Sequence, residues 1–168
     1  MTPDPETTVA RLDEAVATIE AQTKLRPRFA VVAGSGLGAL GELIEQAVEI
    51  PYQKLPNMPC TAVVGHAGKL VLGTLEGLPT AVLSGRVHAY EGWRPDEVVF
   101  GVRMLARLGV DVVLLTNAAG GITPELTPGT LSRITDHINF TGMNPLTGKN
   151  LDALGPRFPD MSAIYCHD

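Results

Sequence analysis

The sequence predicts an α/β protein with a mixed β-sheet flanked by helices, forming a single domain over residues 1–168. The first observation is a set of three short apolar runs, at residues 29–33, 79–83 and 111–115. Each run is followed directly by a cluster of small or anion-binding residues. Runs rich in β-branched residues and punctuated by glycine are typical of buried strands. The second observation is a helical pattern between the last two runs, which indicates a strand–helix–strand crossover.

The opening segment predicts an amphipathic helix over residues 7–23. Apolar side chains recur there at helical spacing: Val9, Leu12, Val16 and Ile19. Charged residues lie off that stripe, so we expect one face of the helix to be buried. Thr7 or Thr8 is the predicted N-cap, because a threonine hydroxyl can accept a hydrogen bond from an amide of the first turn.

A meander is predicted for the central part of the chain. After the strand at 29–33 we expect a tight glycine turn, a short helix over 40–47 and an irregular segment over 51–59, which holds three prolines. Residues 61–85 then contain three strand-like runs. Glu76-Gly77, between the second and third runs, is the signal of a hairpin turn.

The second half of the chain begins with a predicted helix. Pro95, followed by two acidic residues, is a favourable helix start, and Gly109 is expected to end the helix. Its predicted buried stripe consists of Val98, Val102 and Leu105. We expect strands over 112–115 and 129–140, followed by a long polar loop through residue 157.

The last residues, 161–168, contain neither a helix stop nor a closing strand. A sheet paired only by the preceding strands would have an open edge and an uncovered face. We therefore expect either that the chain is shortened at its C-terminus or that a partner covers this surface.

Composition narrows the class of protein. Thirteen basic residues against eighteen acidic ones give a net charge of −5, which offers no basic field for nucleic acid. Cys60 and Cys166 lie far apart and match no metal-ligand spacing. The first fifteen residues do not resemble a signal peptide, and no apolar run is long enough to span a bilayer. We expect a cytoplasmic protein without membrane or nucleic-acid partners.

The cluster after the second apolar run is the most specific chemical signal. Alternate side chains of an extended segment share one face, so Arg86, His88 and Tyr90 are expected to point the same way. A guanidinium binds phosphate through two parallel hydrogen bonds, and an imidazole adds a further donor. Glu91 is expected to orient His88, so His88 and Glu91 are the candidate catalytic residues. The alternative is an exposed edge strand with solvated side chains.

The other clusters supply further donors. Ser35 lies in a glycine turn, where its hydroxyl and free amides form an anion cradle. His66 is flanked by small residues, although a surface-turn histidine is the alternative reading. Small residues follow Asn117, so the backbone at Ala118 can approach a ligand closely, as it would also do at a glycine hinge. Together these groups predict a phosphate site beyond the carboxyl ends of neighbouring strands.

Other enzyme classes fit the motifs less well. Residues 36–41 match the pattern G-x-G-x-x-G of nicotinamide-binding oxidoreductases, but the acidic residue expected about 20 residues later is missing. The segment 34–41 lacks the lysine of a nucleotide-binding P-loop, which disfavours a kinase or NTPase. No G-x-S-x-G signature of a serine hydrolase is present.

Six motifs, in this order, closely resemble the trimeric purine nucleoside phosphorylases: VVAGSGLG, GHAG, SGRVHAYEGW, LLTNAAGG, TDHIN and GPRFPDMS. The related methylthioadenosine phosphorylases are less similar around the arginine–histidine motif. The resemblance implies a nucleoside-phosphorylase-like fold and phosphorolysis of purine nucleosides to free base and ribose 1-phosphate. It also implies inorganic phosphate as co-substrate, no metal or organic cofactor, and a homotrimer.

The resemblance also assigns site residues. The phosphate-binding positions of the family match Ser35, His66, Arg86, His88 and Ala118. A ribose contact matches Tyr90, and Asn117 and Ala118 border the base, which makes these three the expected nucleoside-binding residues. Family members continue well beyond the last residue here, and the residues that read the purine lie in that later part. A catalytically incompetent phosphate-binding or assembly module is therefore the alternative function.

Overall fold

The computed structural model describes residues 4–34, 36–60, 68–162 and 164–165. Its centre is a five-stranded mixed sheet with the order β2-β3-β4-β1-β5. The strands are β1 (Phe29–Ala33), β2 (Glu45–Pro51), β3 (Lys69–Leu75), β4 (Leu78–Ser84) and β5 (Val112–Leu115). Strand β3 is antiparallel to both of its neighbours, whereas β1 is parallel to β4 and β5. The predicted mixed sheet is confirmed.

The first helix, α1 (Pro5–Gln22), begins two residues earlier than the sequence predicts. Its N-cap is Asp4, whose carboxylate accepts a hydrogen bond from the Glu6 amide at 3.2 Å. The prediction of Thr7 or Thr8 as the cap is wrong, because the fixed φ of Pro5 already suits the first helical position.

Among the described residues, no helix is both long enough and apolar enough to cross a membrane.

The helix predicted over 40–47 is wrong. A 3₁₀ helix occupies Gly38–Leu43, and β2 begins at Glu45. Strand pairing decides this local structure, since β2 forms a ladder with β3 that places Ile50 opposite Leu70, both fully buried. A short 3₁₀ helix over Tyr52–Lys54 follows, within the segment predicted to be irregular. The strand-like run at 61–65 lies outside the described residues.

The hairpin between β3 and β4 confirms the turn signal. Glu76 and Gly77 have φ values of 49° and 77°. Two consecutive residues with positive φ are the requirement of the tight turn whose twist matches that of the paired strands. The resulting antiparallel pair holds Leu75 opposite Leu78 and continues to Lys69 opposite Ser84.

The predicted helix after Pro95 is divided into α2 (Pro95–Val98) and α3 (Phe100–Arg107). Because the helix is interrupted at Val99, its buried face differs in part from the predicted stripe. The buried side chains of α3 are Phe100, Met104 and Leu105, whereas Val98 and Val102 are only half-buried. Gly109, with a φ of 96°, follows the helix end as predicted.

Apolar side chains cover both faces of the sheet. On one face α1 and α3 pack against the strands through a cluster that includes Leu12, Ile19, Leu70, Leu83, Met104 and Leu105. On the other face a smaller cluster consists of Val31, Ala33, Ile44, Val71 and Val82. Strand β1 contributes to both clusters, so its position is fixed from both sides.

Strand β5 is an edge of the sheet, and its side chains Val112, Leu114 and Leu115 are 50–62% exposed. The strand predicted over 129–140 is wrong: this segment has no regular structure, and Ile138 and Phe140 are 79% and 91% exposed. A strand needs a neighbour for its backbone hydrogen bonds. In the part of the chain that the structure describes, none pairs with 129–140 or with the outer side of β5.

We predict that Gly73→Ala destabilises the sheet. A Cβ atom at Gly73 would lie 2.5 Å from Ile44 Cγ2 and closer still to the Glu45 carbonyl oxygen, so β2 would have to move away from β3. Overpacking of this kind costs about 1–3 kcal/mol of unfolding free energy, measurable by urea titration. Gly41→Ala is the control, because its Cβ would meet Val71 at an ordinary 3.5 Å. Equal stability of the two variants would contradict the prediction.

Candidate active site

The carboxyl ends of three strands lie side by side. Strand β1 is central, and its parallel neighbours β4 and β5 end at the same edge of the sheet. The register pairs Ala33 with Ser84 and Val32 with Leu115. The predicted convergence of the three clusters is therefore present, since they begin at Gly34, Ser84 and Thr116.

Thr116 joins the ends of β1 and β5. Its hydroxyl accepts a hydrogen bond from the Gly34 amide at 2.9 Å and donates to the Val32 carbonyl at 2.8 Å. Its own amide donates to the same Val32 carbonyl at 3.3 Å. The backbone just beyond β1 is thus held by a side chain of the neighbouring strand end.

Arg86 brings the end of β4 into the same group. Its Nη1 donates to the Thr116 carbonyl. A Cβ atom on Gly34 would lie 3.2 Å from Nη1 and 3.3 Å from Nη2 of this guanidinium. Glycine at position 34 therefore gives the guanidinium room to lie close to the backbone.

A chain of hydrogen bonds runs from Arg86 through His88 to Glu91. Arg86 Nε donates to His88 Nε2 at 3.2 Å, so Nε2 is the acceptor nitrogen. The proton of a neutral His88 ring is then on Nδ1, which lies 3.1 Å from Glu91 Oε1. The sequence prediction that Glu91 contacts His88 agrees with this geometry, while the catalytic roles of both stay predictions.

Glu91 holds His88 because the turn between them is short. The segment Ala89–Glu91 forms one 3₁₀ turn, and Glu91 Oε1 also accepts from the His88 amide at 2.8 Å. One carboxylate oxygen therefore fixes both the backbone and the ring of the histidine. Both side chains are largely buried, with exposed fractions of 23% for His88 and 11% for Glu91.

Tyr90 forms an aromatic wall beside this group. Its ring stacks on the His88 ring with 4.9 Å between centroids and 17° between planes. The tyrosine is 77% exposed, so most of its surface faces solvent. Arg86 contacts His88, and His88 contacts Tyr90. Tyr90 lies in a 3₁₀ turn, however, and not in the extended segment that the prediction assumed.

The remaining predicted residues are placed less completely. Asn117 and Ala118 are exposed just beyond β5, and the Asn117 side-chain amide donates to the Ala118 carbonyl at 3.4 Å. Ser35 and His66 lie outside the described residues. Their roles, like those of Tyr90, Asn117 and Ala118, stay predictions.

Two residues in the site escaped the sequence reasoning. Thr116 was read only as the start of a small-residue cluster, although a hydroxyl directly after a strand is a signal for backbone contacts. Tyr52 is buried, and its hydroxyl donates to the Gly85 carbonyl at 2.7 Å. Burial, with a smaller contribution from nearby Cys60, raises the pKa of Tyr52. Its position in a proline-rich segment concealed this contact.

The described groups favour an anion as ligand. The Arg86 guanidinium, beside the His88 imidazole at the ends of three strands, supplies N–H donors of the kind that suit the oxygens of a phosphate. In residues 4–34, 36–60, 68–162 and 164–165, no three histidine, cysteine, aspartate or glutamate side chains could hold a metal ion together.

The chain is similar to known proteins along most of its length. Residues 28–168 match the family model of the phosphorylase superfamily. Purine nucleoside phosphorylase 1 of Geobacillus stearothermophilus is 48% identical over 92% of this chain and 56% of that protein. The rat purine nucleoside phosphorylase is 45% identical over 89% of this chain and 53% of that protein.

Solved structures give the same result. Isoform 2 of the Schistosoma mansoni purine nucleoside phosphorylase, in complex with cytosine and ribose-1-phosphate, has a TM-score of 0.84 at 43% identity, covering 91% of this chain and 55% of that one. The S. mansoni purine nucleoside phosphorylase in complex with inosine has a TM-score of 0.84 at 38% identity, covering 92% and 55%. The chain spans about half the length of the curated relatives it matches. The resemblance to purine nucleoside phosphorylases is confirmed, and the chain belongs to the phosphorylase superfamily.

Proposed function

We propose that the chain provides the phosphate-binding part of a purine nucleoside phosphorylase. The reaction is the reversible phosphorolysis of purine ribonucleosides and deoxyribonucleosides to free base and the pentose 1-phosphate, as in purine salvage. The observation that carries the proposal is the hydrogen-bonded group of Arg86, His88 and Glu91 at the meeting point of three parallel strand ends. The relatives named above support the same reaction class.

Phosphate is the nucleophile in this proposal. One of its oxygens forms a bond to the anomeric carbon of the pentose while the bond to the purine nitrogen breaks and its electron pair leaves with the base. The base takes up one proton, which balances the proton that hydrogen phosphate loses. The sugar develops positive charge in such a transition state, and the nearby phosphate anion stabilises it. Arg86 holds that anion by charge-assisted hydrogen bonds, with Ser35, His66 and the Ala118 amide as further proposed donors.

His88 is a further proposed phosphate-binding residue. Its Nε2 accepts a hydrogen bond from Arg86 Nε, so a phosphate O–H donated to Nε2 would have to replace that contact. Its Nδ1 is directed to Glu91, which keeps the ring in place. Correct orientation of phosphate toward the anomeric carbon supplies much of the rate enhancement in such reactions.

The nucleoside side of the site completes the proposal. Tyr90 contacts the ribose with its exposed ring, and Asn117 and Ala118 border the base. No metal or organic cofactor takes part, and inorganic phosphate is the co-substrate. We further propose a cytoplasmic homotrimer that binds neither membrane nor nucleic acid, on the basis of the resemblance and the net charge of −5.

A second candidate function is a phosphate-binding or assembly module without turnover. The described contacts that carry the main proposal, those of Arg86, His88 and Glu91, concern the phosphate and not the purine. The two candidates differ in one measurement, because the module would bind phosphate but release no base.

The assay is the release of hypoxanthine or guanine from inosine or guanosine with inorganic phosphate. We expect release to depend on phosphate and to be lost in Arg86→Ala. Arg26→Ala is the matched control, because Arg26 is half exposed and pairs with Glu20 at 2.9 Å, on the surface. Phosphate binding without release of base would support the module instead, and absence of phosphate binding would contradict both functions.

We predict that Arg86→Lys weakens phosphate binding although it keeps the positive charge. Lysine cannot form the two parallel hydrogen bonds of a guanidinium, which is expected to cost about 1–3 kcal/mol of binding free energy. Isothermal titration calorimetry with inorganic phosphate measures the loss. Unchanged affinity in the lysine variant would show that Arg86 acts only through its charge.

We predict that Glu91→Ala lowers kcat/KM for phosphate at least about tenfold, because His88 loses its orienting carboxylate. Glu91→Gln keeps an acceptor oxygen, so it separates geometry from charge. Glu97→Ala is the matched control: Glu97 accepts from the Arg94 amide at 2.9 Å and caps α2 in the same way, away from the site. A similar loss of activity in the Glu97 variant would indicate a general folding effect.

A further inference from the structure

We infer that Thr116 is a positioning residue of the phosphate site, which it serves by holding the end of β1 and the Arg86 guanidinium in one arrangement. This inference rests on the proposed function, because it concerns the same phosphate. Thr116 itself is not assigned a contact with the ligand.

The hydroxyl of Thr116 extends the sheet by one hydrogen bond. The regular pairing of β1 ends at Ala33 opposite Ser84 on one side, and at Val32 opposite Leu115 on the other. Beyond that point the Gly34 amide donates to the Thr116 hydroxyl at 2.9 Å. The hydroxyl in turn donates to the Val32 carbonyl at 2.8 Å, so both its donor and an acceptor site are engaged.

The carbonyl of Thr116 contacts Arg86. It accepts a hydrogen bond from Arg86 Nη1, and both terminal nitrogens of Arg86 lie close to the Gly34 backbone. A Cβ atom built on Gly34 would be 3.2 Å from the Thr116 carbonyl oxygen as well as from Nη1. Gly34, Thr116 and Arg86 are therefore packed together, and displacement of one displaces the others.

This arrangement affects three of the proposed phosphate donors at once. Ser35 follows Gly34 in the chain, Arg86 is bound directly, and Ala118 lies two residues after Thr116. A valine at position 116 has nearly the same shape as threonine, but it carries a methyl group in place of the hydroxyl. It can therefore neither accept nor donate a hydrogen bond at that position. The amide of the buried residue Gly34 would then lose its partner, which favours movement of this backbone toward a water molecule.

The experiment compares Thr116→Val with Thr116→Ser. Serine keeps the hydroxyl and loses only a methyl group, so it should restore what valine removes. The matched control is Thr80→Val. Thr80 is fully buried, and its hydroxyl donates to the Leu78 carbonyl at 2.9 Å. It lies near the beginning of β4, whereas Arg86 follows the end of that strand. Amide hydrogen exchange at Gly34 and calorimetric titration with inorganic phosphate are measured for each variant.

We expect Thr116→Val to lose protection of the Gly34 amide and to bind phosphate about tenfold more weakly. Thr116→Ser and Thr80→Val should stay within about threefold of the wild type, even where Thr80→Val lowers stability. If the protein catalyses phosphorolysis, Thr116→Val should raise KM for phosphate and leave KM for the nucleoside unchanged.

Three results would overturn the inference: phosphate affinity unchanged in Thr116→Val, an equal loss in Thr116→Ser, or an equal loss in Thr80→Val. Failure of the proposed function has a different signature. In that case the wild-type protein itself binds no phosphate, and the inference falls with it.

Discussion

The parallel alignment of β4, β1 and β5 is the constraint on which the rest of the site depends. Because β1 is buried on both faces and paired on both edges, its carboxyl end is fixed in three dimensions. Each neighbouring strand then brings its loop to the same edge, although Gly34 and Thr116, at the start of the first and third loops, are 82 residues apart in sequence. Backbone pairing between the strands, and not local sequence, therefore brings these loops together.

A short turn after β4 orients the side chain of His88. The short turn after His88 uses the Glu91 carboxylate for two purposes, as a cap of the turn and as the partner of the imidazole. The same capping pattern recurs at Arg94 and Glu97, where it only starts a helix. The difference lies in the capped residue, since a histidine at that position carries a ring that the carboxylate can orient.

Sequence reasoning predicted the features that local chemistry determines. Strands β1 and β5 follow from apolar runs, and the hairpin at Glu76-Gly77 follows from a turn that needs positive φ. It failed where a distant partner determines the local structure. The helix predicted over 40–47 includes the first three residues of β2, which is a strand because it pairs with β3. The segment 129–140 has strand-like composition, but no described strand pairs with it. For the same reason Thr116 was missed, because its contacts with Gly34 and Arg86 exist only after folding.

Tyr52 anchors the loop before Arg86 with a hydroxyl that does not ionise near neutral pH. Burial raises the pKa of this hydroxyl above the ordinary tyrosine value, so it stays protonated. The tether from Tyr52 to the Gly85 carbonyl consequently keeps its donor in acid and in mild alkali alike. The loop that carries Arg86 therefore keeps this anchor over the whole of that pH range.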